Sequence, residues 1–252
     1  MIKNPIHEAN NFIPVDEVKE SKGYLEFDID KDPVSAEYAI REILKDEPVA
    51  VCMGSVYALI ADAHSEKAID RTREIKRRPT TKPFGLLMDA KSICEVVDLD
   101  KVHPNFHELF KTPEMINTLF GSKGFLRFPL RKDIEFNEGL IGPNHSIQAF
   151  TFWGDEVAYP FEESIRQGLR KKHPEGKGEI MITSYNISGE PSIVDSERAG
   201  NLSASSKLFI QIDRNSSDGT GSYSIYRFDH GGIEKIRGGT GETAIDEALL
   251  LG

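Results

Sequence analysis

"PVAVCMGSVYALIADA", residues 48–63, begins as a buried strand of an α/β sheet. Val49-Ala50-Val51-Cys52-Met53 is apolar throughout and follows a proline, as a central strand would. Gly54 and Ser55 then interrupt the run, and Val56-Tyr57-Ala58-Leu59 continues without a charge as far as Asp62. A small, backbone-permissive pair at a strand end is either a bend or a place where backbone and hydroxyl face a ligand.

On both sides of this run the chain alternates helix and strand. "SAEYAIREILKD" (35–46) sets Ala39, Ile40, Ile43 and Leu44 on one helical face, with Ser35 as its N-cap. "SEKAIDRTREIK" (65–76) repeats the helical spacing at Ala68, Ile69, Thr72 and Ile75, and Pro79 stops it. "FGLLM" (84–88) reads as a short buried strand, and residues 103–120 as helix broken near Pro113. "GFLRF", "IQAFTF", "EIMIT", "KLFIQI" and "SYSIYRF" read as further strands, with "YLEFDID" (24–30) as an extra one near the start. "FEESIRQGLRKK" (161–172) is a helix with Glu162 and Glu163 in its first turn and three basic residues in its last, which suits the helix dipole. No repeat, heptad pattern or linker divides the chain. The expected architecture is one α/β domain over residues 35–252, a twisted mixed β-sheet flanked by helices, preceded by an extension over residues 1–34.

At 252 residues, 38% hydrophobic and 29% charged, the composition is that of a soluble globular protein with a sizeable core. No apolar run approaches the roughly 18 residues that span a bilayer, and the polar N-terminus does not read as a secretory signal. The two cysteines, Cys52 and Cys94, have no C-x-x-C partner and lie in apolar surroundings, which points to reduced core thiols in a cytoplasmic protein. A net charge of −10 argues against a general nucleic-acid binder. Screening acts over ~8 Å at physiological salt, so a compact basic cluster can still act on its own. "RTREIKRRPTTK" (71–82), six basic residues against Glu74, is such a cluster.

Three stretches carry the chemistry: the Gly54-Ser55 strand end, the basic helix exit "IKRRPTTKP", and "ITSYNISGEP" (182–191), an apolar strand that runs into Thr183, Ser184, Asn186 and Ser188. Ligands of open α/β sheets bind beyond the carboxyl ends of strands, so two polar strand ends and a basic cluster outline an anion site. The order of these stretches resembles the YrdC-like domain family, which makes threonylcarbamoyl-adenylate. That family has P-T-E-T before V-Y-G-L, then K-x-R-P, then T-S-A-N-x-S-G. Here the first motif reads Cys52-Met53-Gly54-Ser55-Val56-Tyr57-Ala58-Leu59, the second Lys76-Arg77-Arg78-Pro79 followed by Lys82-Pro83, and the third Thr183-Ser184-Tyr185-Asn186-Ile187-Ser188-Gly189. "GSYSIYRFDHGGIEKIRGG" (221–239) is similar to a worn form of the family's S-T-V-V-D strand and R-x-G. The likeness covers roughly residues 35–240. The first motif keeps only the hydroxyl of Ser55 and the ring of Tyr57. W-P-G-P-L-T is replaced by "FGSKGFLRF", and R-V-P survives at best as Ala158-Tyr159-Pro160.

The resemblance implies an ATP-dependent, nucleotidyltransferase-type enzyme that joins threonine and bicarbonate as a carbamate and transfers it to AMP, with Mg²⁺, for tRNA modification. It implies that Lys76 and Arg78 are catalytic, that these two with Lys82, Ser184 and Asn186 bind the nucleotide, and that Ser55 and Tyr57 bind the second substrate. Partner proteins in tRNA modification and double-stranded RNA binding come with the family, whereas the net charge predicts weak direct RNA affinity. Two other readings stay open: an enzyme of the same fold that uses another amine, and a nucleotide- or RNA-binding domain without turnover. No resident metal site is expected. His103 and His107 lack a third ligand and read as surface residues, "GGTGET" (238–243) as a loop without the lysine of a P-loop, and Trp153 as core.

Overall fold

The computed structural model describes residues 24–173, 177–208, 210–214 and 220–251, so most of the N-terminal extension lies outside the described residues. The first part of the chain forms β1 (Leu25–Asp28), α1 (Ser35–Ile43), β2 (Val49–Cys52), β3 (Tyr57–Asp62), α2 (Glu66–Lys76) and β4 (Gly85–Leu87). A helical stretch follows, α3 (Ala90–Val96), α4 (His107–Lys111) and α5 (Pro113–Phe120), then β5 (Gly124–Pro129), β6 (Ser146–Phe150) and α6 (Ala158–Lys172). The last part comprises β7 (Ile180–Ser184), α7 (Ser196–Ser206), β8 (Ile210–Asp213), β9 (Ser224–Asp229), β10 (Gly232–Arg237) and α8 (Glu242–Leu251).

All ten strands join one mixed sheet in the order β1-β8-β2-β3-β7-β4-β6-β5-β9-β10. Successive strand residues point to opposite faces, and the apolar pattern assigns each face its own helices. Val49 and Val51 of β2, Ile180 and Ile182 of β7 and Phe125 of β5 lie with α1 and α6 on one face. Leu126 and Phe128 of β5 and Ile147 and Ala149 of β6 pack on the other, against α2 to α5 and α8. Two helices therefore cover one face while the other carries most of the rest, and the thinly covered face is where a ligand can enter. Among the described residues no helix is long and apolar enough to cross a membrane.

The 48–63 run is a hairpin rather than a strand with a ligand-facing end. Cys52 pairs with Tyr57 in antiparallel register, and the Met53 N–H donates to the Val56 carbonyl at 3.0 Å. Gly54 sits at φ +84°, which only glycine adopts without strain, so its role is to let the chain reverse. β1 brings residues 25–28 of the expected extension into the sheet as an edge strand parallel to β8.

Other local expectations are corrected. Ser35 is the first helical residue and makes no capping bond, because Val34 occupies the cap position. Trp153 is 48% exposed just beyond β6, edge-on to Tyr159, and is not core. Ala158-Tyr159-Pro160, the remnant of R-V-P, forms the first turn of α6. His103 Nδ1 accepts the Asn105 N–H and His107 Nε2 meets the Val102 carbonyl, so both serve local turns. Cys52 is buried and Cys94 half-buried.

Candidate functional site

On the thinly covered face, beside α6 but lined by none of its residues, lies a cavity of about 400 Å³. Strand alternation builds its floor. In β5, Phe125 and Arg127 face it, and in the paired strand β6, Gln148 and Phe150 do. β7 supplies Ile182 and Ser184, the β2–β3 turn supplies Met53 and Val56, and β10 ends on Arg237 at the rim. The segment after α2 closes one side with Arg78, Thr81, Lys82 and Pro83.

That segment reaches the cavity because α2 stops abruptly. Arg77 takes the left-handed conformation (φ +48°), its N–H and that of Arg78 return to carbonyls of the last turn, and the chain departs across the sheet end. Arg78 is then fixed by Nε to the Lys82 carbonyl (3.1 Å) and Nη2 to the Pro83 carbonyl (2.6 Å), with its guanidinium 5.0 Å from the Phe84 ring centre. Arg127 donates to Gln148 Oε1 at 2.8 Å, and Arg237 to the Tyr223 carbonyl at 2.7 Å. Among the described residues no aspartate or glutamate lines the cavity. Burial depresses the pKa of all three arginines, and neighbouring cations add to it: Arg73 and Arg237 at Arg78, Arg127 at Arg237, and Arg227 at Arg127. Three guanidinium groups thus converge, with Lys82, on one space and find only neutral acceptors among the described residues.

Of the residues singled out in the sequence, Arg78, Lys82, Thr183 and Ser184 line the cavity. The others turn inward. Lys76 is 1% exposed and donates to the carbonyls of Ser184 and Asn186 (2.7 Å for the latter) and to Asn186 Oδ1 at 3.3 Å. Burial, followed by the charge of Arg78, pushes its ammonium down to about 7. Asn186 is occupied too, with Nδ2 on the Ile187 and Glu190 carbonyls and Oδ1 accepting the Ser184 hydroxyl at 2.6 Å. Together Lys76 and Asn186 lock the β7 strand end into position behind the cavity wall. Ser55 donates its hydroxyl to the Gly221 carbonyl and receives the Gly221 N–H on its own carbonyl, both at 2.8 Å, so it clips a loop. Tyr57 donates to Asp213 in a buried network with Gln211, and burial raises its phenol pKa.

The sequence reading passed over Arg127, Gln148 and Arg237. Arg127 did leave a signal: an arginine inside "GFLRFPL", where a strand buried on both faces calls for an apolar residue. Arg237 stands in the R-x-G that ends the likeness, but only the path of β10 shows which way it points.

Residues 41–149 match the model of the Sua5/YciO/YrdC family, described as telomere recombination. That match covers less than half of the chain. The fold is that of P. abyssi Sua5, in a doubly substituted form, with TM-score 0.64 at 18% identity over 86% of this chain and 60% of that one. Sua5 from the same organism complexed with L-threonine gives 0.60 at 21% identity over 81% of this chain and 54% of that one. E. coli YciO gives 0.59 at 16% identity over 86% and 94%. The chain therefore spans little more than half the length of the Sua5 chains it resembles. No curated protein sequence matches it.

Proposed function

We propose that this protein binds ATP in the arginine-lined cavity and activates a carboxylate or carbamate as an adenylate. The observation that carries this reading is the convergence of Arg78, Arg127, Arg237 and Lys82, from separate parts of the chain, on a cavity lined by no acid among the described residues. Nucleotidyl transfer asks for that arrangement: cations and donors placed around spreading negative charge, with little covalent participation by the protein. An oxygen of the second substrate attacks the α-phosphorus, and the bond to the β-phosphate breaks. Pyrophosphate then leaves with the electron pair. Charge-assisted bonds to phosphate contribute on the order of 1.5–3 kcal/mol each.

The family likeness supplies threonine and bicarbonate as the first pair to test. There the free amine adds to bicarbonate with loss of water, and the carbamate oxygen is the nucleophile; threonylcarbamoyl-AMP then serves tRNA modification. Sua5 complexed with L-threonine supports an amino-acid subsite in the fold. Mg²⁺ neutralises polyphosphate charge when bound, but among the described residues the cavity wall offers it no carboxylate, and no acid, histidine and cysteine group there could hold a metal. The residues present therefore do not fit a resident metal.

A second reading, nucleotide binding without turnover, is favoured by one observation: Ser55, Tyr57 and Lys76 are all committed to internal hydrogen bonds. ATP–pyrophosphate exchange with bicarbonate and a panel of amines and carboxylates separates the two. Exchange with any one of them supports the enzyme; ATP binding by calorimetry with no exchange supports the binding domain; no ATP binding defeats both.

A further inference from the structure

Arg78 is held by its own segment and by one ring. The carbonyls of Lys82 and Pro83 take Nε and Nη2, and the guanidinium carbon lies 5.0 Å from the ring centre of Phe84. The carbonyl contacts belong to residues 78–83 and would move with that segment. Phe84 is different. It stands just before β4, 2% exposed, packs within the core of the helix-covered face, and donates its N–H to the Gly139 carbonyl at 2.9 Å. Its ring therefore ties the guanidinium to a part of the fold that does not move with the segment.

The same ring carries a second cation. Arg73, in the last turn of α2, places its guanidinium carbon 5.4 Å from the ring centre. Gly139 leaves room for it, since a Cβ there would lie 3.1 Å from Arg73 Nη2 and 2.9 Å from Ile69 Cγ2. Arg73 Nη1 reaches Asp70 at 3.3 Å, while its buried Nε has no hydrogen-bond partner among the described residues. Two guanidinium groups this close repel, and Arg73 stands next to burial among the causes that lower the Arg78 pKa. The negative face of an aromatic ring attracts cations within about 6 Å and so offsets that repulsion. An aliphatic side chain would fill the space and attract neither.

We infer that Phe84 is a positioning residue of the cavity, whose ring holds the Arg78 guanidinium at the wall where a phosphate meets it. The ring itself touches no ligand. It keeps one arrangement of Arg78 populated before an anion arrives, so less ordering is left to the binding step. As to the ligand, this rests on the nucleotide reading; the hold on Arg78 stands on the geometry alone.

The test replaces Phe84 by 3,4,5-trifluorophenylalanine, which keeps the shape of the ring and removes most of its negative face, and separately by leucine. ATP affinity, by calorimetry on the full chain, should fall about threefold or more in the fluorinated protein while its thermal melt stays close to that of the wild type. Phe84→Leu should lose more. In an Arg78→Ala background the fluorination should change nothing, because the group it acts through is gone. Labelling of Arg78 by phenylglyoxal, read by mass spectrometry without nucleotide, should run faster in the fluorinated chain. Equal ATP affinity with and without the fluorines overturns the inference. A loss that persists in the Arg78→Ala background overturns it too, and assigns the ring to packing. If the wild-type chain binds no ATP, the nucleotide reading falls by itself and the labelling decides: a faster rate supports the positioning role, and an equal rate overturns it.

Discussion

Two clusters of charge in this molecule obey opposite rules. Where the end of α6 meets β3, basic side chains face acids: Asp62, fully buried, accepts Lys172 Nζ at 2.9 Å and the His64 N–H at 2.9 Å and lies 2.9 Å from His173 Nε2. Lys172 also reaches Asp46 at 2.8 Å, and His64 Nε2 meets Glu179 at 2.7 Å. In the cavity, by contrast, Arg78, Arg127 and Arg237 have only carbonyl and amide partners among the described residues, so no opposite charge offsets the burial that works against them. A matched cluster ties helix to sheet. An unmatched one lowers stability unless an anion completes it, which is the physical mark of a binding site.

The comparison breaks most directly at Asp62. Asp62→Ala leaves Lys172 and His173 facing a buried gap and the His64 N–H without its acceptor, and should cost on the order of 3 kcal/mol of stability by urea unfolding. ATP affinity should be untouched, and a tenfold fall would show that the two clusters are not independent. Lys76 tests the rule in an enclosed cation with neutral partners. Its pKa in the fold is pushed down to about 7 from 10.5, so the unfolded chain binds more protons between those values and stability should rise with pH there. The gain is about 2 kcal/mol from pH 7 to pH 9, and Lys76→Met should flatten it. An unchanged slope in that variant would assign the effect to other groups.

Arg78→Ala sharpens the comparison from the cavity side. ATP affinity should fall at least tenfold, ~1.4 kcal/mol, with the melting temperature held or raised as like-charge repulsion is relieved. Equal ATP affinity by calorimetry would remove the phosphate role. The smallest effect concerns RNA. The cations are recessed in a cavity on a chain of net charge −10, so tRNA binding at physiological salt should be weaker than micromolar. Sub-micromolar binding with a steep salt slope would place a basic surface outside the cavity.

The hairpin at 48–63 shows where the sequence was legible and where it was not. Its apolar run identified β2, but β3 carries six buried residues with no alternation, and periodicity cannot separate two such strands from one. β10 escaped notice for the opposite reason: most of its residues are exposed, so no apolar pattern marks it. Local spacing likewise drew Lys76, Arg78, Ser184 and Asn186 together at one end of the sheet, and they do meet there. It could not say which faces the ligand, because that depends on side-chain direction at a left-handed turn and on what lies behind the strand.

By itself the sequence determined the α/β class, the family likeness and the two segments, 76–83 and 182–191, that border the cavity, since turn chemistry, apolar runs and motif order are local properties. Only the tertiary structure decided that Arg127 and Arg237 complete the cationic end while Lys76, Asn186, Ser55 and Tyr57 are spent on holding it. Pairing β5 with β9 and β9 with β10 brings Arg237, more than 100 residues away in the chain, to the face that Arg127 occupies, and no local pattern encodes a sheet order.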